Sequence, residues 1–205
     1  LLPSTTLFRS WPNAPAGMFP VDDPTALLKE TLLYAQAKRL VIIMRLDSDP
    51  RFLTAVPDWW KFFRVQHLPY AVPGYIGRKL GGMELAYSFG EPIPRLPGQR
   101  VIPGEAPKAM PGGSVDGHPC SRNIEHMRWV LRWWSMPGET VFDPFMGSGS
   151  TGVAAVQLGC RFVGVEISPE YYAIARRRIL DAQAQPRLFD DAPPPQPTQG
   201  ALLDR

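Results

Sequence analysis

Residues 140–168, TVFDPFMGSGSTGVAAVQLGCRFVGVEIS, constrain the fold of this chain more than any other stretch. Residues 140–142 make a short β run ending in Asp143, 147–152 a glycine and serine loop, 153–158 an apolar helix body, and 161–165 a β-branched strand closed by Glu166. Strand, glycine loop, helix and strand in that order form one βαβ half. An acidic side chain at the end of the second strand can accept two hydrogen bonds from a ribose diol, and glycines let the backbone approach a ligand without a Cβ clash. The pattern points to an adenosine-containing cofactor.

Gly147, Gly149 and Gly152 spell a literal GxGxxG, so a dinucleotide-binding dehydrogenase competes for the same segment. Three features weigh against it: Asp143 and Pro144 precede the first glycine, the unit sits near the C-terminus, and no substrate domain follows. A pyrophosphate gains nothing from a carboxylate at Asp143, whereas the cationic sulfonium and ammonium of S-adenosylmethionine tolerate one nearby. No Gly-Lys-Ser/Thr follows the glycines, which excludes a Walker-type phosphate loop.

DPFMGSGSTGVAAVQLGCRFVGVEISPEYYAIARRRI resembles the closing segment of the amino-methylating DNA methyltransferases, the N-4/N-6 DNA methylase family, in their permuted form with a late cofactor motif. GHPCSRNIEHMRWVLRWW resembles the segment before it, and the two together cover residues 117–179. A looser likeness, in RLVIIMRLDSDPRFLTAVPDWWKFFRV and GRKLGGMELAYSFGEP, reaches back to about residue 25. The resemblance implies a Rossmann-like α/β fold, a three-layer sandwich with a mostly parallel sheet, using S-adenosylmethionine on double-stranded DNA. It places Asp143, Pro144, Phe145, Gly147, Ser148, Gly149 and Thr151 along the cofactor, Glu166 on the ribose hydroxyls, and His118, Pro119, Cys120 and Ser121 at the methionine end.

The same family usually carries an Asp/Asn/Ser-Pro-Pro-aromatic tetrapeptide that holds the target amine and stacks on the extruded base, and none occurs here. The chain is therefore expected to be N-terminally incomplete or decayed, beginning after that tetrapeptide, with its catalytic residues unassigned. The implied reaction is direct methyl transfer to an exocyclic amine of adenine or cytosine on a flipped base, without a cysteine nucleophile. Pro119-Cys120 reads as cofactor-adjacent. A non-catalytic cofactor- or DNA-binding remnant and an RNA or small-molecule methyltransferase are the alternatives.

A length of 205 residues with 44% hydrophobic content suits one domain, expected at 24–180 between a lead-in at 1–23, whose first ten residues need not be native, and a disordered tail at 181–205. Net charge is only +3 and spread along the chain, which is compatible with nucleic acid without demanding it. Two distant cysteines without a CxxC suggest reduced thiols in the cytoplasm and no metal site. No apolar run approaches the ~20 residues of a membrane span.

Periodicity predicts helices over 24–37 and 124–134 and strands over 39–45, 62–68 and 83–89, the last two forming an antiparallel pair, with a short helix opened by Ser48-Asp49-Pro50. Loops at 69–80 and 90–117 are the candidate target-recognition regions, where Arg78, Lys79, Arg95, Arg100 and Lys108 could reach phosphates or be ordinary solvated charges. Trp59, Trp60, Phe62 and Phe63 read as packing, with a base-stacking platform as the other option. Arg176–Arg178 are expected to end the last helix, and His67 and His126 to be structural. In the tail, Gln185, Leu188 and Phe189 resemble a short sliding-clamp docking peptide.

Overall fold

The computed structural model describes residues 5–9, 24–35, 37–46, 48–76, 79–94, 102–113, 117–118 and 121–185. Among these, six strands form one sheet: β1 (Thr5–Arg9), β2 (Arg39–Arg45), β3 (Phe62–Ile76), β4 (Lys79–Gly90), β5 (Thr140–Asp143) and β6 (Arg161–Gly164), in the order β3-β4-β2-β1-β5-β6. Four helices flank it: α1 (Pro24–Tyr34), α2 (Ile124–Trp134), α3 (Ser150–Gln157) and α4 (Pro169–Ala184).

β2 shows why the sheet must be covered on both faces. All seven of its residues are buried, which is how a strand inside a two-faced sheet reads. Val41 and Ile43 pack into one core with Met127, Val130, Leu131 and Trp134 of α2 and Ala154 and Ala155 of α3. Leu40, Ile42 and Met44 turn to the opposite face, where Leu28, Leu32 and Ala35 of the α1 region and Trp60 cover them. The three-layer arrangement follows from this period of two along a single strand.

The sheet is mixed: three of its five strand pairings are parallel, and only β4 runs against the rest. β1 pairs parallel with β2 and β5, and β5 with β6, but β4 runs antiparallel to both β2 and β3. The antiparallel β3–β4 pair is as expected. Its length is not: the strands run to Ile76 and from Lys79, so most of the stretch at 69–80 is hairpin, paired through Gly74–Gly81, Tyr75–Leu80 and Ile76–Lys79. Alternation stops at Pro69 and Pro73, and a register shift between Pro69 and Gly74 absorbs the disruption.

Two boundary expectations also change. The lead-in contributes β1 to the middle of the sheet, a position given by backbone pairing that five residues of sequence cannot announce. The last helix continues to Ala184, past the boundary set at 181 and past Arg176–Arg178, and has no basic residue in its final turn.

Buried polar groups join the layers. Gln66, fully buried, accepts from Trp134 Nε1 at 2.8 Å and donates to Pro103 O at 3.0 Å. Residues 104–109 lie along the open edge of β3, with His67 N donating to Gly104 O at 2.8 Å and Ala71 N to Ala109 O at 2.7 Å. Covering an edge in this way removes a template for unwanted strand pairing. It also means that part of the expected recognition loop at 90–117 is tied down, with Ile102 and Ala106 buried and Lys108 exposed.

Truncating Trp134, which has no exposed surface, leaves a large void and removes the shorter of the two hydrogen bonds to Gln66 Oε1, so Trp134→Ala is expected to cost about 3–5 kcal/mol in urea unfolding. His126 is structural, as expected: it is buried on α2, its ring contacts Pro107 O at 3.3 Å, and burial pulls its pKa below 6.5. The unfolded chain therefore binds the proton more readily, and stability should fall as pH drops below about 6.5. In His126→Gln, denaturation midpoints followed from pH 7.5 to 5 should lose that component of the slope.

Candidate functional site

The candidate site lies at the C-terminal ends of β5 and β6, where the chain leaves β5 into a loop and enters α3. β5 and β6 are in register from Thr140–Arg161 to Asp143–Gly164, so Glu166 falls just beyond the level of Asp143. Two further backbone bonds continue the pairing: Val165 N to Asp143 O and Met146 N to Val165 O, both 3.0 Å. They bring the acidic strand end against the glycine loop.

Glu166 then fixes the loop's shape. One carboxylate oxygen accepts from Gly147 N at 2.8 Å and the other from Ser168 N at 3.0 Å. A carboxylate has about four acceptor sites, so two remain beyond these bonds for hydroxyl donors. Asp143, only 2% exposed, accepts from Phe145 N at 3.0 Å and turns the chain at the strand end. Gly149 caps α3 in the left-handed region at φ 78°, and a Cβ there would stand 2.9 Å from Ala175 Cα of α4. A side chain is thus refused by both backbone conformation and space. At Gly152 the demand comes from neighbouring side chains, because a Cβ there would meet Ile179 and Phe162 at 2.4 and 2.7 Å. The third glycine of the GxGxxG pattern therefore serves packing.

The segment before α2 reaches the same place. Asn123 caps α2 by accepting from His126 N, which sets Ser121 at the mouth of the helix. Ser148 Oγ donates to Ser121 Oγ at 2.9 Å, Ser121 and Ser150 hydroxyls lie 3.0 Å apart, and Ser150 Oγ donates to Arg122 O at 3.0 Å. Arg178 of α4 closes the cluster, donating to Ser148 O at 2.5 Å and Ser121 Oγ at 3.3 Å. His118 is buried and packs edge-on against Tyr171 in the first turn of α4, ring centroids 4.5 Å apart.

Of the residues singled out from the sequence, Asp143, Pro144, Phe145, Gly147, Ser148, Gly149, Thr151 and Glu166 share one strand–loop–helix junction, and Ser121 is hydrogen-bonded to it. Pro119, Cys120, Arg78, Arg95, Arg100, Leu188 and Phe189 lie outside the described residues, Lys79 opens β4, and Gln185 caps α4. The aromatic run divides: Trp60 is buried and donates to Ala37 O at 2.9 Å, as packing requires, whereas Trp59 and Phe62 are mostly exposed. They line a cleft of about 450 Å³ with Lys38, Lys61 and Glu91. That cleft is larger than the 290 Å³ one beside Ser121, Arg122 and Arg178, yet it opens at the start of β2, the edge opposite the glycine loop. Volume does not locate this site; converging polar groups do.

The sequence model of the N6/N4 DNA methylases, described as DNA methylase, matches residues 58–177. The chain belongs to that family. The chain is 30% identical to the YubD protein of Escherichia coli K12, a putative methylase, over 141 residues, 65% of this chain and 58% of that protein. It is 39% identical to the type II methyltransferase M2.DpnII of Streptococcus pneumoniae over 62 residues, 30% of this chain and 23% of that enzyme. The matched part thus spans little more than half the length of the first relative and under a quarter of the second. In three dimensions the crystal structure of M1.HpyAVI in complex with SAM aligns with a TM-score of 0.66 at 21% identity, over 87% of this chain and 89% of that one. The cytosine-N4-specific PvuII DNA methyltransferase gives 0.57 at 15%, over 89% and 86%. At these identities the likeness is one of fold.

Three residues at or beside the candidate site are not legible in the sequence. Arg178 reads there as a helix-end cation, but the helix end lies six residues further on. Ser150 joins Ser121 and Ser148 through hydroxyls that no periodicity marks. Ile167 beside Glu166 is 79% exposed, and that exposure is visible only in three dimensions. No helix among the described residues is long and apolar enough to cross a membrane, and the comparisons lend no support to a sliding-clamp partner.

Gly149→Ala should lose about 1–2 kcal/mol from the left-handed backbone alone, with more from the contact at Ala175. Gly82→Ala, where a Cβ meets nothing within 4 Å, should stay within about 0.5 kcal/mol. Paired urea titrations of the two variants check this contrast.

Proposed function

We propose that this methylase binds S-adenosylmethionine against the glycine loop and directs its methyl group to the exocyclic amine of adenine or cytosine in double-stranded DNA. The observation that carries the reading is the convergence of Glu166, the loop amides and the Ser121 segment on one strand end.

The residues fit the group. Glu166 retains acceptor capacity for the ribose diol, and Ile167 beside it suits one face of an adenine ring. Gly149 keeps the loop backbone bare, and the first-turn N–H groups of α3, which have no side-chain cap, favour the anionic carboxylate of an amino acid. Asp143 supplies negative charge at the end of β5, the sign that suits an ammonium or sulfonium. His118 and Ser121 bound the methionine side, and Pro119 and Cys120 stand between them in the sequence.

When bound, S-adenosylmethionine supplies an electrophilic methyl on sulfur, displaced in line by an amine nitrogen. This chain's part is to orient that donor and shield it from water, through a loop whose turns are preset by Glu166 and Gly149. No Asp/Asn/Ser-Pro-Pro-aromatic tetrapeptide occurs in the sequence, so polarisation of the amine is assigned to none of the described residues. DNA contacts by Lys79, Lys108 and the arginines Arg78, Arg95 and Arg100 belong to the same proposal.

Calorimetric titration with S-adenosylmethionine, with NAD as control, tests the reading. Selective binding of the former is expected, and NAD binding alone would overturn the cofactor reading. Glu166→Ala should weaken the interaction by about 1–3 kcal/mol; unchanged affinity would remove Glu166 from the site.

A further inference from the structure

Beneath the glycine loop lies a buried ion pair that the proposed chemistry does not use. Arg122 Nη1 stands 2.6 Å from Glu84 Oε1, with the two side chains only 8% and 10% exposed. Glu84 is on β4, level in the register with Arg45 of β2, and Arg122 also reaches Ile43 O of β2 at 3.4 Å. The side chain of Arg122 is therefore anchored to two adjacent strands. Its backbone faces the other way: Arg122 O accepts from Ser150 Oγ, the first residue of α3, and Ser121 immediately before it bonds Ser148 of the glycine loop.

Burying two charges costs several kcal/mol each before their attraction is counted, and apolar residues of similar size often serve stability as well. In some proteins such a pair serves to fix geometry instead. Here it sits between the rigid floor of the sheet and the loop that must hold its shape for a ligand.

We propose that Arg122, held by Glu84, is a positioning residue for the methyl donor: the ion pair is the strut that keeps the start of α2 pressed against the glycine loop, so that Ser121, Ser148 and Ser150 stay in register. The inference rests on the cofactor reading for its consequence in binding, but not for its consequence in loop order. Arg122 acts through the serines and touches no reacting atom.

The test uses the full chain with Arg122→Met, in which Glu84 keeps Arg45 as its register neighbour. Hydrogen–deuterium exchange of the free protein reads the strut directly. Amides of residues 147–151 should exchange at least about tenfold faster, while those of β3 and β4 keep their parental protection. The dissociation constant for S-adenosylmethionine should rise roughly ten- to hundredfold, and Arg122→Lys should recover most of both effects. Parental exchange in the loop, or faster exchange spread equally over β3 and β4, overturns the proposal. If the parental chain itself does not bind S-adenosylmethionine, the cofactor reading fails while loop exchange still decides the strut. Should Arg122→Met fail to fold, Glu84→Gln, which keeps the shape and removes the charge, is judged by the same two exchange patterns.

Discussion

The contact on which the site depends is made by one carboxylate with two backbone amides. Glu166 accepts from Gly147 N and Ser168 N, and so joins the loop after β5 to the turn after β6. Neither turn has a regular ladder of its own at that point, and buried backbone N–H groups must find partners. Glu166 supplies them from the neighbouring strand. One side chain therefore satisfies amides in both turns and sets how they meet. Loss of this side chain leaves both amides without that partner and releases the loop.

The two ends of the sheet are built for different purposes. At the start of the strands, Arg39 of β2 places one guanidinium nitrogen 2.5 Å from Glu139, and Glu139 also accepts from Met136 N at 2.8 Å. Backbone bonds from Gly138 N to Gly159 O and Arg161 N to Glu139 O, each 2.8 Å, join the connections that lead into β5 and β6. These contacts bind connections to strands with charge-assisted or backbone hydrogen bonds and leave little that a ligand could compete for. At the other end the contacts are hydroxyl to hydroxyl, hydroxyl to carbonyl and carboxylate to amide, among glycines and serines. The bonds between the serine hydroxyls are neutral, each worth about 1 kcal/mol net, whereas Glu166, Arg178 and Arg122 contribute charged contacts at the same end.

Much of the fold was legible because the signals were periodic. β2 and α2 take the residues that their hydrophobic patterns predicted, 39–45 and 124–134, since a fully buried strand and a one-sided helix leave unmistakable periods. Asp49 caps the short 3₁₀ turn at Pro50–Ala55 as the Ser-Asp-Pro signal required. What stayed hidden was set by pairing and distance. The hairpin extension past Pro69 depends on cross-strand partners and a register shift that the prolines obscure. β1 gains its place from neighbours on both sides. That the glycine loop, Asp143 and Glu166 meet at one junction was legible because the strand–loop–helix–strand pattern is carried by residue type at fixed spacing, whereas Arg178 and Ser150 act through contacts 28 to 57 positions away in sequence.

That distinction explains why the polar cross-links, not the apolar core, give the site its geometry. Hydrophobic faces fix which side of the sheet each helix covers, but they are non-directional, and small slides along the sheet leave buried area nearly unchanged. α2, α3 and α4 all pack near one another on this face, with Ala154 and Ala155 against α2's apolar residues and Ala175 against Gly149. Small side chains at these contacts allow close approach but define position weakly. Directional bonds remove the remaining freedom: Ser121 joins α2 to the loop, Arg178 joins α4 to both, and Arg122 joins all of them to the strands. The core makes the three layers stable, and a handful of serines, arginines and glutamates determine where, to within a hydrogen-bond length, the end of β5 meets the start of α3.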